Sequence, residues 1–378
     1  MSGDAERKHA IGVVFAGGGT GGHIHPNLAV AEHLYRLTEG DCASVFVVSD
    51  RAIDARVLES AQIAGAPAAY RVSRARPLAM SPLGLIACAR RWAGGVRVGR
   101  EAIRTLRASC ERVVMIATGG FVSAPAIMGA RAEQAERFVI NLDVVPGKAN
   151  RLASRFATKT LSVGRDLRPI VSSRWADLPA AEEARAAFGL DAERRTLLVT
   201  GGSQGARSVN RFVIECAQRG VDLASWQVLH QTGSGEDEAC AAAWTGLGIR
   251  ASVSAYIDRM DIAFAAADAV VCRGGAGTVA DLWASGRPAL ILPYPHHKDN
   301  HQSLNARPLI DAGGAILADD LIDARRNANV HGPSLARLLD DGARTEMSAG
   351  LARLGPADGA ETLARRILSI ASMTLGSD

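Results

Sequence analysis

Residues 266–302 read AADAVVCRGGAGTVADLWASGRPALILPYPHHKDNHQ, and this stretch leaves few folds open to the chain. Ala269-Val270-Val271-Cys272 is short, apolar and β-branched, as a buried strand is. It stops at Arg273, and Gly274-Gly275-Ala276-Gly277 then makes a turn that only small residues tolerate. Thr278 is expected to N-cap a helix over 279–285, closed by Gly286 and Pro288, and 289–292 returns as a strand. The product is a βαβ unit with its glycine turn at the carboxyl end of the first strand, where open α/β sheets bind ligands. Free amides at a helix start suit a phosphate. Asp281, one turn further in, is placed to chelate the two hydroxyls of a ribose. The stretch reads as a nucleotide-sugar site.

The same grammar recurs along the chain. A strand over 11–15 enters Gly17-Gly18-Gly19-Thr20-Gly21-Gly22-His23, and Pro26 is expected in the first turn of the following helix, whose apolar face is Leu28, Ala31 and Leu34. A strand over 44–48 follows, and one over 113–117 ends in Thr118-Gly119-Gly120-Phe121. A strand over 138–142 leads to Asp143-Val144-Val145-Pro146-Gly147, and 164–168 is the expected crossing into a second domain. There, a strand over 196–200 opens into Gly201-Gly202-Ser203-Gln204-Gly205, and helices are expected over 333–339, 345–354 and 360–372. The sequences between the turns do not repeat, which excludes a solenoid. The expectation is an α/β protein of two Rossmann-like domains, 1–164 and 165–357, facing across a cleft.

At 378 residues the chain is too long for one ordinary core. Its formal charge of +4 comes without a long run of one sign, so nucleic acid is not indicated. Cys42, Cys88, Cys110, Cys216, Cys240 and Cys272 are scattered without C-x-x-C spacing, which favours buried thiols in a reducing compartment over a zinc site. No signal peptide is read at the start, and no apolar run reaches the roughly 20 residues of a membrane span. An intracellular protein is expected, with a membrane surface still open to it. Residues 77–107 mix Leu78, Met80, Leu83, Leu85, Ile86 and Trp92 with Arg90, Arg91, Arg97 and Arg100. That mixture fits a patch resting on anionic lipid, and equally a helix covering its own core beneath a solvated basic face.

Gly17-x-Gly19-x-x-Gly22 also satisfies the dinucleotide fingerprint, with Asp50 as the ribose acid. An NAD-dependent oxidoreductase, however, leaves the turns at Gly201 and Gly274 without a task. Binding of UDP rather than NADH separates the two readings.

Taken together, Gly18-Gly19-Thr20-Gly21-Gly22-His23, Gly201-Gly202-Ser203-Gln204-Gly205-Ala206-Arg207 and Arg273-Gly274-Gly275-Ala276-Gly277-Thr278 resemble the three signatures of the MurG family. Also similar are Gly120-Phe121-Val122-Ser123-Ala124-Pro125, Pro146-Gly147-x-x-Asn150-Arg151, His230-Gln231-Thr232-Gly233, and Pro293-Tyr294-Pro295 leading to His301-Gln302-x-x-Asn305-Ala306. That family consists of bacterial glycosyltransferases that add N-acetylglucosamine to undecaprenyl-pyrophosphoryl-N-acetylmuramoyl-pentapeptide in peptidoglycan synthesis. The resemblance implies a GT-B fold, a UDP-N-acetylglucosamine donor, no cofactor and no metal in the donor site. It also implies work at the cytoplasmic face of the cell membrane. It makes the N-terminal domain the acceptor side, with a final helix from about 358 to 378 packed back on it.

Carried over residue by residue, the family's uracil and ribose contacts fall on Arg168, Ser203, the backbone of Ile257, and Asp281. Diphosphate and sugar contacts fall on Ala276, Gly277, Thr278, Val279 and Ala280, with Gln302 and His301 on sugar hydroxyls. Thr20, Gly21 and Gly22 face the donor, Gly18, Gly19, Gly119 and Gly120 the acceptor, and His23 is the catalytic candidate. The chain departs from the pattern in three places. Ile140-Asn141-Leu142-Asp143 replaces the family's His-Glu-Gln-Asn, so its glutamate is absent and Asp143 stands for a donor-side asparagine. Asp281 stands for a ribose-binding glutamate, and Phe121 for a tyrosine. A relative with another lipid acceptor and a non-catalytic UDP-sugar-binding protein both fit the first departure.

Overall fold

A computed structural model describes residues 8–19, 21–63, 65–76, 82–202 and 204–372. The chain divides into two compact units, one of residues 1–173 with 358–378 and one of residues 174–357.

In the first unit the order is β1 (His9–Gly17), α1 (Gly21–Leu37), β2 (Cys42–Ser49), α2 (Ala52–Ser60), β3 (Gln62–Ile63), β4 (Ala66–Pro67) and β5 (Tyr70–Ser73). Then come α3 (Pro82–Ser109), β6 (Cys110–Gly119), α4 (Ser123–Ala132), β7 (Glu136–Asn141), α5 (Lys148–Ser154) and β8 (Lys159–Ser162). β3 and β4 form a small antiparallel pair that no local pattern marks. The other strands make one parallel sheet in the order β5-β2-β1-β6-β7-β8. Residues such as Val14, Met115, Ile127 and Val139 pack between this sheet and its helices.

The second unit repeats the plan. It runs α6 (Ala181–Ala187), β9 (Arg195–Thr200), α7 (Arg207–Gln218), β10 (Trp226–Gln231), α8 (Asp237–Gly246), β11 (Ala251–Ser254), α9 (Met260–Ala266) and β12 (Ala269–Cys272). It continues through α10 (Ala276–Ser285), β13 (Ala289–Ile291), α11 (His301–Asp311), β14 (Ala315–Leu317), α12 (Ala324–Leu339) and α13 (Asp341–Ala352). Its sheet is parallel in the order β11-β10-β9-β12-β13-β14. Successive residues of one strand enter different cores: Leu197, Val199 and Val271 on one face, Leu198, Val270 and Cys272 on the other. Helices therefore cover both faces, as the near-continuous apolar runs require.

Numbered within each sheet, both orders are 3-2-1-4-5-6, the doubly wound arrangement that reverses direction between its first and fourth strands. The reversal falls between β1 and β6 in one unit and between β9 and β12 in the other. All four glycine turns leave the carboxyl ends of these strands. Each sheet thus has a paired set of glycine turns at its switch point.

The closing helix, α14 (Gly359–Ser372), belongs to the first unit and lies against α1. Ile170 pairs with Asp358 and the Gly359 amide donates to the Pro169 carbonyl, so residues just past 164 are also held in that unit.

Three local expectations need correction. Pro26 lies well inside α1 rather than in its first turn. Thr278 is the third residue of α10, and Gly275, in extended conformation, is the N-cap. Pro333 lies inside α12, which begins at Ala324 because the Asp323 side chain accepts from the Arg326 amide at 2.8 Å.

Candidate active site

In the first unit the turns after β1 and β6 pack closely against each other at their glycines. A Cβ on Gly120, whose φ is +82°, would fall 2.0 Å from the Gly18 carbonyl oxygen. One on Gly119, at φ +143°, would fall 2.5 Å from Cε1 of His23. Only glycine permits either approach. His23 is anchored by its own carbonyl, which accepts from Thr118 Oγ1 at 2.8 Å, and its Nδ1 is buried with no hydrogen-bond partner among the described residues. Burial lowers the imidazole pKa, and the nearby Asp143 and Asp54 carboxylates oppose that without cancelling it. The ring is therefore neutral at neutral pH, the state a general base needs.

Asp54, which sequence reasoning missed, fixes this loop. It is fully buried in α2, and its Oδ2 accepts from the Gly19 amide at 2.8 Å, the Ser49 amide at 3.0 Å and Ser49 Oγ at 2.6 Å. Asp50 takes no such part: Arg76 pairs with it at 2.8 Å. Asn141 is buried, donates to Ser162 Oγ and accepts from Asn150 Nδ2 at 3.0 Å. It works as a structural amide at the end of β7. Arg168 also lies in the first unit, 3.5 Å from the Asp358 carboxylate. Thr20 and Ser203 lie outside the described residues.

In the second unit the start of α10 is open. Gly275 offers no side-chain cap, and a Cβ at Gly275 or Gly277 would meet nothing within 4 Å. The first helical bond runs from the Val279 amide to the Gly275 carbonyl at 2.9 Å, so the amides of Ala276, Gly277 and Thr278 have no helical acceptor. Three aligned donors at the positive end of a helix dipole make an anion site. Asp281 is partly covered, and among the described residues no salt bridge reaches it. Burial and the Asp261 carboxylate push its pKa up to about 7. Asp261 is itself paired with Arg259, whose Nη2 donates to its Oδ2 at 2.7 Å. Ile257 is buried in the same core cluster as Val279 and Leu282.

The turn is braced from behind. A Cβ on Gly274 would fall 2.4 Å from the Gln302 carbonyl oxygen, and Asn305 Nδ2 donates to the Gly274 carbonyl at 3.2 Å. Gln302 Oε1 accepts from the Tyr294 amide at 2.8 Å, and His301 Nδ1 lies 2.7 Å from Asp299 Oδ1. α11 thereby sets His301 and Gln302 beside the glycine turn. Arg273 adds a buried tie: Nη1 donates to the Leu292 carbonyl, and Nη2 reaches Ser208 Oγ at 2.8 Å and Asp320 Oδ2 at 2.7 Å. Burial raises the Asp320 pKa, but hydrogen bonds from Ser208, Asn327 and the Ile322 amide and the Arg273 charge outweigh it, and the pKa is lowered. No sequence signal marked this partnership across distant residues. His230 is likewise structural: Trp244 Nε1 donates to its Nδ1 at 3.1 Å, and burial holds its pKa at about 3.

Residues 13–162 match the glycosyltransferase family 28 N-terminal domain, and residues 196–322 match the family 28 C-terminal domain. The chain belongs to glycosyltransferase family 28. A Nocardioides sp. protein named UDP-N-acetylglucosamine--N-acetylmuramyl-(pentapeptide) pyrophosphoryl-undecaprenol N-acetylglucosamine transferase is 37% identical, over 95% of this chain and 98% of its own. A Geobacter metallireducens protein of the same name is 32% identical over 91% and 95%. Among solved structures, Acinetobacter baumannii MurG aligns with a TM-score of 0.69 at 20% identity, covering 95% of this chain and 99% of its own. The glycosyltransferase SnogD from Streptomyces nogalater aligns at 0.56 and 18%, covering 96% and 99%. The family 28 chain thus has the GT-B fold of these glycosyltransferases, and the oxidoreductase reading falls away. Among the described residues no helix is long and apolar enough to cross a membrane.

Proposed function

We propose that this glycosyltransferase moves N-acetylglucosamine from UDP-N-acetylglucosamine to the 4-hydroxyl of undecaprenyl-pyrophosphoryl-N-acetylmuramoyl-pentapeptide, with inversion. The observation that carries the reading is the uncapped, open start of α10 at a switch point, in a chain whose relatives bear that activity in their names. The donor diphosphate lies on the amides of residues 276–278, and Asp281 accepts from the ribose hydroxyls. Gln302 and His301 meet the sugar, and Arg168, Ser203, Ile257, Thr20, Gly21 and Gly22 complete the donor contacts. The acceptor oxygen attacks the anomeric carbon as the bond to UDP breaks. Its proton passes to neutral His23, beside Asp143, and the charge gathering on UDP is met by preorganised amides. Gly18, Gly19, Gly119 and Gly120 line the acceptor side.

The exposed side chains Ile86, Arg90, Arg91 and Arg97 of α3 suit an anionic membrane surface at its cytoplasmic face, where such an acceptor is anchored. The other side of the helix, including Gly99, Ala102, Ile103 and Leu106, is buried. That buried side is the helix covering its own core, and the exposed basic side chains support the membrane reading.

The test is direct. UDP and UDP-N-acetylglucosamine should raise the melting temperature by several degrees, since a ligand at a hundredfold excess over Kd adds about 2.7 kcal/mol. NADH should not, and labelled N-acetylglucosamine should pass to the lipid-linked muramyl pentapeptide. A shift with NADH alone overturns the donor; a uridine shift without transfer leaves a sugar-binding protein.

A further inference from the structure

We propose that the loop after β13, together with the first residue of α11, is a divalent-metal site, with His297, Asp299 and His301 as ligands and a zinc-class ion as occupant. One ligand atom from each residue lies within 4.8 Å of the other two. The imidazoles of His297 and His301 have centroids 4.3 Å apart, and Asp299 Oδ1 is 2.7 Å from His301 Nδ1.

The spacing His297-x-Asp299-x-His301 returns three donors to one point because Asn300 sits in left-handed conformation, at φ +48°, and turns the chain into α11. The two ends of the chelate are held from outside it. His301 opens a helix pinned by Asn305 to Gly274 and by Gln302 to the Tyr294 amide. His297 packs edge-on against the Tyr294 ring at 4.9 Å. Two imidazoles and a carboxylate select zinc, cobalt or nickel over magnesium or calcium, which prefer oxygen alone. Three protein ligands leave a fourth position to water. The segment is exposed from Tyr294 to Asn300, so an ion reaches it without any opening of the fold.

The decisive experiment titrates the metal-stripped full chain with Zn2+ by calorimetry, and with Co2+ by its visible absorption. One equivalent is expected to bind, with a tetrahedral cobalt spectrum. His297→Ala should weaken binding by at least about tenfold. His296→Ala, which alters the neighbouring imidazole outside the trio, should leave affinity and spectrum unchanged. Wild-type melting of both variants shows that the fold is intact. Absence of a stoichiometric event, or equal affinity in His297→Ala and wild type, overturns the assignment.

Discussion

The imidazole of His23 occupies the space that a side chain at Gly119 would need, with Cε1 only 2.5 Å from the position of the missing Cβ. The catalytic candidate of one glycine turn is therefore positioned by the bareness of the other. Gly119→Ala should displace the ring and also strain a backbone at φ +143°. We expect turnover to fall by about 10²-fold or more, approaching the 10²–10⁴-fold loss expected for His23→Ala, with UDP affinity little changed in both. Steady-state transfer assays with parallel UDP titrations check this; full activity in either variant removes His23 as the base.

Asp281 gives the donor site a pH signature. Its carboxyl is pushed up to about 7, above the roughly 3.9 of an unfolded aspartate. The folded state thus holds the proton longer, and the unliganded protein loses stability as pH rises between those values. Ribose hydroxyls donate to the ionised form, so UDP affinity should rise with pH, by at most about tenfold per unit, and level off above about 7. Calorimetry from about pH 5.5 to 8 reads the slope, which Asp281→Asn should flatten. Asp281→Glu should bind UDP better than Asp281→Ala.

The Arg273–Asp320 pair makes an asymmetric prediction. Both side chains are buried, and removing one strands the other's charge. Asp320→Ala should lower stability in urea by about 3–5 kcal/mol, whereas Arg273→Met with Asp320→Leu should lower it by much less. Equal losses in the single and double variants would show that the charges are not what couples them.

Membrane contact has its own test. Vesicle binding should require anionic lipid and weaken with salt, and replacing Leu85 and Ile86 with Ser should reduce it without unfolding the chain. Equal binding to neutral vesicles counts against the electrostatic part.

Much of this was legible in the sequence because glycine turns and β-branched runs are local signals. The turns at Gly17, Gly119, Gly201 and Gly274 all end strands, and Gly286 closes α10 in left-handed conformation at φ +62°. Local signals also misled. Thr278 is a good capping residue, yet the helix has already begun at Ala276, with Gly275 in extended conformation as its N-cap. Pro333 reads as a helix start, but the capping bond of Asp323 begins the helix earlier. The partnerships of Asp54 with Gly19 and Ser49, and of Arg273 with Ser208 and Asp320, join separate elements and have no spacing to betray them. His230 lay in a recognised motif, but its burial against Trp244, which makes it structural, depends on tertiary packing.

The open start of α10 has a consequence for anyone who would block this enzyme. Amide donors belong to every residue except proline, so a compound resting a diphosphate mimic on residues 276–278 grips atoms that ordinary point mutations cannot delete. Escape would have to come from crowding at Gly275 or Gly277, where an added side chain has room, and that same side chain would stand in the path of the natural donor. Resistance and loss of substrate are thereby tied to the same few atoms.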